Sequence, residues 1–362
     1  MEENRKGFIL SAAEAPLANA PDKCKVLNEK RQKKTIKSEG DPKLIKIYMM
    51  LRPTAEYTQL QPEPSIYTWI SLETIYPGGC IDEFYFNYSA EVPIYDHVSY
   101  LASGRVRVTY GDRAKTIGPD TLCYFPSNLK YSLTNVGKLP ANFVNVNTQA
   151  AGKKMGEPIY SKMPTWIGEH TRKLAGNTEQ LEKDAKEANR KGFILSGAEV
   201  KPSKFTDKIM VLNEKGQIQI VKREYDPKLW LEVYPLLSTA TEFTKLQPGP
   251  SIHTSITLEK MQPGGSLDEH YNEYNTRLQV YDHLFYVLSG RMRATIGDIE
   301  MTVGADTLIY CPSNVRHSLS NVGKRIAKFL TIRGAAEGAK MGGPVYLKKP
   351  TWHLEAGINK QK

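Results

Sequence analysis

The chain has 362 residues, 40% of them hydrophobic and 24% charged, which is the composition of an ordinary globular protein of about two domains. Its 49 Lys and Arg residues against 39 Asp and Glu residues give a net charge of +10. No stretch approaches the roughly 18 consecutive apolar residues of a membrane span, and no apolar segment follows the charged N-terminus, so neither a membrane helix nor a secretory signal is expected.

The excess positive charge is concentrated near the N-terminus. Nine Lys and Arg residues lie between Lys23 and Lys46, against three acidic residues. Such a run is typical of a solvated surface or an arm, and the chain has no helix-turn-helix, zinc-finger or RNP signature. Nucleic-acid binding is therefore not expected.

The four cysteines are scattered, and they show no CxxC spacing: Cys24, Cys80, Cys123 and Cys311. This pattern excludes a cysteine-cluster metal site. It also favours a reducing compartment, and we expect the protein to be cytoplasmic.

The dominant feature of the sequence is an internal duplication. The octapeptide at residues 4–11 returns at residues 189–196, and the Pro-Gly-Gly that begins at Pro77 returns at Pro263. The offset is 185 residues early in the copy and 186 residues later, far longer than the roughly 20–50 residues of solenoid repeats. Two copies of one whole domain are therefore expected.

The segment between the copies is predicted to be a helical linker over residues 171–190. Its central part, residues 177–188, is rich in helix-forming residues and lacks Gly and Pro. The predicted organisation is an N-terminal domain over residues 1–170, this linker, and a C-terminal domain over residues 191–362.

Within each copy the sequence predicts short β-strands. The stretch from Val287 to Asp298 predicts a strand, a turn at Ser289-Gly290, a second strand and a turn at Gly297-Asp298, and residues 302–310 continue the pattern. Turn residues about every ten positions indicate an antiparallel sandwich or barrel rather than a βαβ fold.

The motifs of the second copy resemble those of the cupin superfamily. They are Pro263-Gly264-Gly265, then Tyr286-Val287-Leu288-Ser289-Gly290, and finally Pro312-Ser313-Asn314-Val315-Arg316-His317-Ser318-Leu319-Ser320-Asn321. Their order is similar to the two cupin motifs, G-x5-HxH-x3-4-E-x6-G and PxGxxHxxxN. Because both halves match, the resemblance implies an all-β bicupin: two tandem cupin jelly-roll barrels joined by a helical connector.

The resemblance also implies a divalent metal ion in the second copy. His270 occupies the first ligand position, His317 is the histidine of the second motif, and His283 stands where the family has a glutamate. A neutral triad of histidines suits Fe²⁺, with Zn²⁺, Mn²⁺ or Ni²⁺ as alternatives. His283 has a second interpretation, because an Asp-His pair occurs in both copies, at Asp96-His97 and Asp282-His283, and is consistent with a structural hydrogen bond.

The second histidine of the HxH motif has no single counterpart. Literal spacing gives Asn272, whereas counting back from His283 gives Arg277 and Gln279. Glu273 reaches the metal if the hairpin bulges.

Several residues near these histidines are candidates for binding or converting a substrate. Tyr281 is expected to share a strand face with His283. Either Tyr281 or Glu273 is expected to move a proton. Gln279, Arg277 and His253 are the predicted substrate contacts.

The first copy lacks most of this set. Phe84 and Tyr131 replace His270 and His317, and only His97 matches His283. One imidazole cannot hold a divalent ion, so the first barrel is predicted to be metal-free and structural.

The resulting functional hypothesis is a metal-dependent enzyme acting on a small oxygen-rich organic substrate, with an Fe²⁺-dependent dioxygenase as the best single reaction. The alternatives are a hydrolase or isomerase of a small carbonyl compound and a non-catalytic ligand-binding protein. Each copy opens with a long arm, from Lys6 to Pro42 and from Lys191 to Pro227. These arms either form a homodimer or pair the two copies within one chain.

Overall fold

The structure is a computed structural model that describes residues 7–15, 23–27, 33–37, 44–53, 64–86, 96–149, 158–161, 193–203, 208–222, 230–239, 251–273, 281–336, 339 and 341–348. This part of the chain is built almost wholly of β-strands, which confirms the all-β prediction. None of its elements is a helix long and apolar enough to cross a membrane. The predicted helical linker, residues 171–190, lies outside the described residues.

The strands follow one another in the same order in both copies. In the first copy they are β1 (Phe8–Ser11), β2 (Lys23–Leu27), β3 (Lys33–Lys37), β4 (Ile45–Leu51), β5 (Thr68–Ile75), β6 (Cys80–Phe86), β7 (Asp96–Ser103), β8 (Val106–Tyr110), β9 (Arg113–Ile117), β10 (Thr121–Pro126), β11 (Tyr131–Asn135), β12 (Ala141–Thr148) and β13 (Pro158–Tyr160). In the second they are β14 (Phe193–Ser196), β15 (Lys208–Leu212), β16 (Ile218–Lys222), β17 (Leu231–Leu237), β18 (Thr254–Met261), β19 (Ser266–Asn272), β20 (Asp282–Ser289), β21 (Met292–Ile296), β22 (Ile299–Val303), β23 (Thr307–Tyr310), β24 (His317–Asn321), β25 (Ala327–Gly334) and β26 (Pro344–Tyr346). A 3-10 turn, Gly197–Glu199, follows β14.

The strands form four sheets that make two barrels of matching topology. The first barrel combines the sheets β14-β10-β7-β12-β5-β4 and β3-β2-β13-β6-β11-β8-β9. The second combines β1-β23-β20-β25-β18-β17 and β16-β15-β26-β19-β24-β21-β22. The basic segment near the N-terminus thus contributes the β2–β3 hairpin to the edge of a sheet.

The opening strands of the two copies are exchanged. β1 pairs antiparallel with β23 of the second barrel, and β14 pairs antiparallel with β10 of the first. Each sheet is therefore completed by a strand from the other copy, and the two arms pair the copies within one chain. The homodimer and the domain limits stay predictions.

Reciprocal contacts between the copies accompany this exchange. The carboxylate of Asp282 accepts hydrogen bonds from the backbone N–H groups of residues 66–68, at 2.6–2.9 Å. Asp96 does the same for residues 252–254, at 2.6–3.1 Å. Each carboxylate also accepts a bond from a tyrosine hydroxyl, Tyr310 for Asp282 and Tyr124 for Asp96. Since both aspartates are fully buried, these charge-assisted bonds are what offsets the cost of burying them.

Three hydrophobic cores follow from this arrangement. One joins the facing six-stranded sheets of the two barrels and includes Val98, Tyr100, Leu284 and Tyr286. The other two fill the insides of the second and the first barrel. Because residues alternate along a strand, β7 and β20 bury one set of side chains between the barrels and the other set inside a barrel.

The strands and turns predicted between Val287 and Tyr310 are confirmed. The turn after β20 depends on Gly290, which has a φ of +98° and whose Cβ would come within 2.6 Å of the Cα of Ala327. Gly104 occupies the equivalent turn of the first copy with a φ of +94°. Only glycine suits both the positive φ and the close approach.

Candidate metal centre

Three histidines of the second barrel lie side by side on its inner face. His270 on β19 pairs directly with His317 on β24, and their ring centroids are 4.3 Å apart. His283 on β20 belongs to the opposite sheet, and its ring centroid is 5.3 Å from that of His317. All three side chains are buried. The fold thus brings together residues that are up to 47 positions apart in the sequence.

Hydrogen bonds orient the rings through their Nδ1 atoms. Nδ1 of His270 donates to the carbonyl of Asp268 at 2.7 Å, and Nδ1 of His317 donates to that of Val315 at 2.9 Å. This assigns the proton to Nδ1 and leaves the lone pair on Nε2, which is how metal-binding histidines are commonly held. Nε2 of His317 and of His283 is buried with no hydrogen-bond partner among the described residues.

The barrel interior keeps these imidazoles neutral. Burial lowers the pKa of His270 to about 4, with a further contribution from the positive charge of Arg333. Burial also places the pKa of His283 and of His317 well below the usual range, and the neighbouring imidazoles and Arg333 lower both further. Neutral imidazoles are the form that coordinates a cation.

The donor set and ring spacing fit a divalent ion. A histidine nitrogen lies about 2.1 Å from a bound ion, which places the centroids of neighbouring ligand rings roughly 4.5–5.2 Å apart. The observed 4.3 and 5.3 Å bracket this spacing. Across the described ranges, however, no group of three or more His, Cys, Asp or Glu side chains is positioned to hold a metal ion as it stands. Coordination by these three rings would therefore require them to reorient.

Asn272 lies beside the three histidines, at one of the positions predicted as alternatives for the second histidine of the HxH motif. It lies two residues after His270 on β19, on the same face, and is 1% exposed. Its side-chain Nδ2 contacts Nδ1 of His283, and its Oδ1 is buried with no partner among the described residues. In this contact Nδ1 accepts and Nε2 carries the proton, so coordination through Nε2 requires the reversed amide, whose Oδ1 accepts from Nδ1–H. Asn272 therefore orients His283.

Arg333 was missed by the sequence motifs. It lies on β25 directly opposite His283 of β20 on one side and Ser255 of β18 on the other, so its side chain shares their inner face. Its Nε is buried and has no hydrogen-bond partner among the described residues. The signal that could have identified Arg333 is its difference from Asn147, which occupies the same position in the first copy.

Glu259 is a second polar residue inside the same barrel. Its Oε1 accepts hydrogen bonds from the hydroxyls of Thr331 at 2.6 Å and Thr257 at 3.1 Å. Burial raises the pKa of Glu259, against the opposing effects of these two bonds and of Arg333. The interior of the second barrel thus contains an arginine and a carboxyl group besides the three imidazoles.

The two predicted proton-transfer residues have different surroundings. Tyr281 is 1% exposed, its ring centroid is 6.4 Å from that of His283, and its hydroxyl donates to the carbonyl of Gly342 at 2.8 Å. Burial raises the pKa of Tyr281 to about 12. Glu273 is half-buried at the end of β19, where its backbone N–H donates to Gly343 at 3.3 Å. Tyr281 is thus beside the histidines, whereas the bonds of Glu273 tie it to the segment before β26.

The remaining predicted residues lie elsewhere or are not described. His253 is buried where the two barrels meet, with its N–H on Asp96 and its Nδ1 2.9 Å from the carbonyl of Ala335. Gln279 and Arg277 fall in residues 274–280, outside the described residues. The alternative role of His283, a structural hydrogen bond with Asp282, has no counterpart in these contacts. The Asp282 carboxylate accepts hydrogen bonds from the first barrel, and Nδ1 of His283 contacts Asn272.

In the first barrel, aromatic rings fill the equivalent space. Phe84 and Tyr131 stand where the second barrel has His270 and His317, with their ring centroids 4.5 Å apart, and Phe125 stacks on Tyr131 at 3.8 Å. The remaining His97 contacts Asn147 through Nδ1 and Ser99 through Nε2 at 3.4 Å. Its two ring nitrogens are thus both occupied.

Comparisons with known proteins agree with this architecture. The family model for the cupin domain matches residues 257–333. Among solved structures, the chain is similar to oxalate decarboxylase from Bacillus subtilis, with a TM-score of 0.55 and 14% sequence identity over 96% of this chain and 80% of that chain. Residues 257–333 thus match the cupin domain, and the chain as a whole has a bicupin fold. The bicupin is also similar to a putative glyoxylate-induced protein from Pseudomonas aeruginosa, with a TM-score of 0.51 and 10% identity over 92% of this chain and 89% of that chain. No curated protein matches it by sequence.

The family match falls on the part of the bicupin that carries the histidines. It begins in β18 and ends in β25, and so includes the three imidazoles, Glu259 and Arg333. At 10–14% identity, the similar structures establish the fold, and the chemistry must be argued from these side chains.

Proposed function

We propose that this bicupin is a metal-dependent enzyme that acts on a small oxygen-rich organic substrate in its second barrel. The observation that carries the proposal is the pair of buried Nε2 atoms on His283 and His317, which have no partner among the described residues. Burying an unsatisfied polar atom costs free energy, and a coordinated cation removes that cost.

His270, His283 and His317 would hold the ion. When bound, a divalent ion supplies Lewis acidity, and Fe²⁺ also supplies oxygen chemistry. The protein's own residues shape the surroundings: Phe285 packs against His283 with centroids 4.6 Å apart, and Tyr346 packs against His270 at 5.3 Å. These rings exclude water and hold the imidazoles in place.

The reaction we favour is oxygen-dependent cleavage of a substrate that presents two neighbouring oxygen atoms. Three neutral imidazoles leave the ion its full charge, which favours anionic or bidentate oxygen ligands. The name of the similar oxalate decarboxylase also points to a small oxygen-rich molecule. Tyr281, whose ring centroid is 6.4 Å from that of His283, would orient such a substrate.

Hydrolysis or isomerisation of a small carbonyl compound is the second candidate. It is favoured by Glu259, because a buried carboxyl group inside the barrel, whose pKa is raised by burial, suits proton transfer. Reactions of this kind need no oxygen.

The test is the metal content of protein purified without added metal. We expect about one equivalent of metal in the wild type and less than about a tenth in His317→Tyr, which introduces the residue of the first barrel. The matched control is His97→Gln in the first barrel, which should leave the metal content unchanged. Metal-free wild-type protein, or metal that survives His317→Tyr, would contradict the proposal and favour a ligand-binding protein.

Oxygen uptake separates the two reactions. A catechol or diketone that drives oxygen consumption by the metal-loaded wild type, and not by His317→Tyr, supports the dioxygenase. Turnover of a small ester or carbonyl compound without oxygen uptake supports the second candidate.

A further inference from the structure

Arg333 is the polar group inside the second barrel for which the proposed metal site gives no role. Its backbone position between Ser255 and His283 directs the side chain to the inner face, and its buried Nε has no partner among the described residues. A guanidinium group offers five donors in a planar fork that matches a carboxylate. A buried nitrogen without a partner therefore points to a ligand.

The equivalent position of the first barrel shows what a structural residue does there. Asn147 lies opposite His97 in the same register, and its Oδ1 contacts Nδ1 of that histidine. In the second barrel this orienting contact comes from a different strand, through Asn272 on β19. Arg333 is therefore not needed to orient His283.

The charges inside the second barrel call for an anion. A divalent ion on three neutral imidazoles keeps both of its positive charges, and Arg333 adds another in the same interior. Glu259 is the acidic side chain that the described structure places on this face. Arg333 forms no ion pair with it there. The guanidinium is half-buried with a buried Nε, and a cationic group held beside a metal ion is stabilised by an anionic partner.

We propose that Arg333 is the substrate-binding residue of the second barrel and that it selects a small carboxylate, which binds the guanidinium while its remaining oxygen atoms face the three histidines. This inference rests on the proposed function and deepens it by naming the substrate class. A bidentate pair fixes both the position and the orientation of the carboxylate.

The experiment is a calorimetric titration with three probes of similar size and decreasing charge: malonate, malonamate and malonamide. It uses the full chain, both metal-free and loaded with Fe²⁺ under anaerobic conditions. In the wild type we expect affinity to fall in the order of the charges. Arg333→Gln should weaken malonate binding about 10- to 100-fold and leave malonamide binding unchanged.

Two further variants guard the result. Arg333→Lys keeps the charge without the fork and should give an intermediate affinity. Arg293→Gln alters an exposed arginine on β21 and should bind malonate like the wild type. The circular dichroism of each variant must match that of the wild type.

The outcomes also separate this inference from the proposed function. Equal malonate affinity in the wild type and Arg333→Gln, or no malonate binding by the metal-loaded wild type, overturns the role of Arg333 while the metal site stands. Malonate binding that depends on Arg333 in a protein that takes up no metal supports the anion site and refutes the metal-dependent function.

Discussion

The two barrels of this bicupin share a backbone and differ in what fills it. Strand order, register and the turns at Gly104 and Gly290 are the same in both. The first barrel fills its inner face with stacked aromatic rings, and the second places three imidazoles and an arginine there. The fold is compatible with either filling, because strand pairing uses only the backbone of these residues and the core between the barrels does not include their side chains.

The difference shows where stability and function separate. Stacked rings satisfy a barrel interior by dispersion and burial alone. The second barrel instead keeps buried ring nitrogens that have no partners among the described residues, at a cost in free energy that a bound ligand would recover. A residue kept in both copies, such as Asp96 and Asp282, therefore serves the architecture, and a residue confined to the second copy is a candidate for chemistry.

The largest effect should come from the residues that hold the copies together. Asp282→Asn and Asp96→Asn each remove a buried charge that accepts three backbone hydrogen bonds from the other barrel. We expect each to lower the free energy of unfolding by about 3 kcal/mol, measured by urea denaturation.

The same pair also tests the functional difference between the barrels. Asp282 is next to His283, so Asp282→Asn should weaken metal binding as well, whereas Asp96→Asn should leave metal content unchanged. Equal metal loss in both variants would show that the site depends on general stability and not on the local position of His283.

The next effect is a pH dependence in the first barrel. Burial raises the pKa of Glu73 to about 7 from the ordinary 4.5, and a hydrogen bond with Asn145 opposes the shift. The folded state therefore prefers the protonated carboxyl, whose contribution is complete below pH 4.5 and is lost as the pH rises to about 7. The side chain introduced by Glu73→Gln is uncharged at every pH, so the variant should not lose this stability. Relative to the wild type, its free energy of unfolding should rise by about 2 kcal/mol between pH 4.5 and about 7.

Glu259→Gln is the matched variant of the second barrel. Arg333 opposes the rise in the pKa of Glu259, whereas Asn147 occupies the arginine's position in the first barrel. The free energy of unfolding of Glu259→Gln should therefore rise by less over the same pH interval than that of Glu73→Gln, as measured by urea unfolding at several pH values. A larger gain than that of Glu73→Gln would mean that Arg333 does not act on Glu259.

The fold was predictable because the duplication and the order of the cupin motifs lie in the sequence. The exchange of β1 and β14 was not, because residues 4–11 and 189–196 are the same octapeptide and match the edge of either barrel equally well. Strand exchange depends on how the barrels meet, which is a property of the tertiary structure.

The site was predictable only in part, for a similar reason. His270, His283 and His317 stand at motif positions, and the structure brings their rings together. Arg333 lies 16 residues beyond the last of them, and only the register of β25 with β20 places it opposite His283. His253 stays a predicted substrate contact: its backbone N–H donates to Asp96 of the first copy and its Nδ1 lies 2.9 Å from the carbonyl of Ala335.

The smallest expected effect concerns Asn272, whose counterpart in the first barrel is Phe86. Its amide contacts Nδ1 of His283, so under the proposed function we expect it to orient this histidine and not to bind the ion itself. Loss of such an orienting contact weakens metal binding by about tenfold, which is our expectation for Asn272→Ala in a competition assay with a chelator. Phe86→Ala is the control and should leave metal affinity unchanged, although it opens a cavity in the first barrel. A loss of about a thousandfold in Asn272→Ala, comparable to removing a ligand, would instead mean that the unpartnered Oδ1 of Asn272 coordinates the ion directly. The second barrel would then have a fourth donor, at the second histidine position of the motif. At every ligand position except that of His283, which His97 matches, the first barrel would have an aromatic residue in place of a metal ligand.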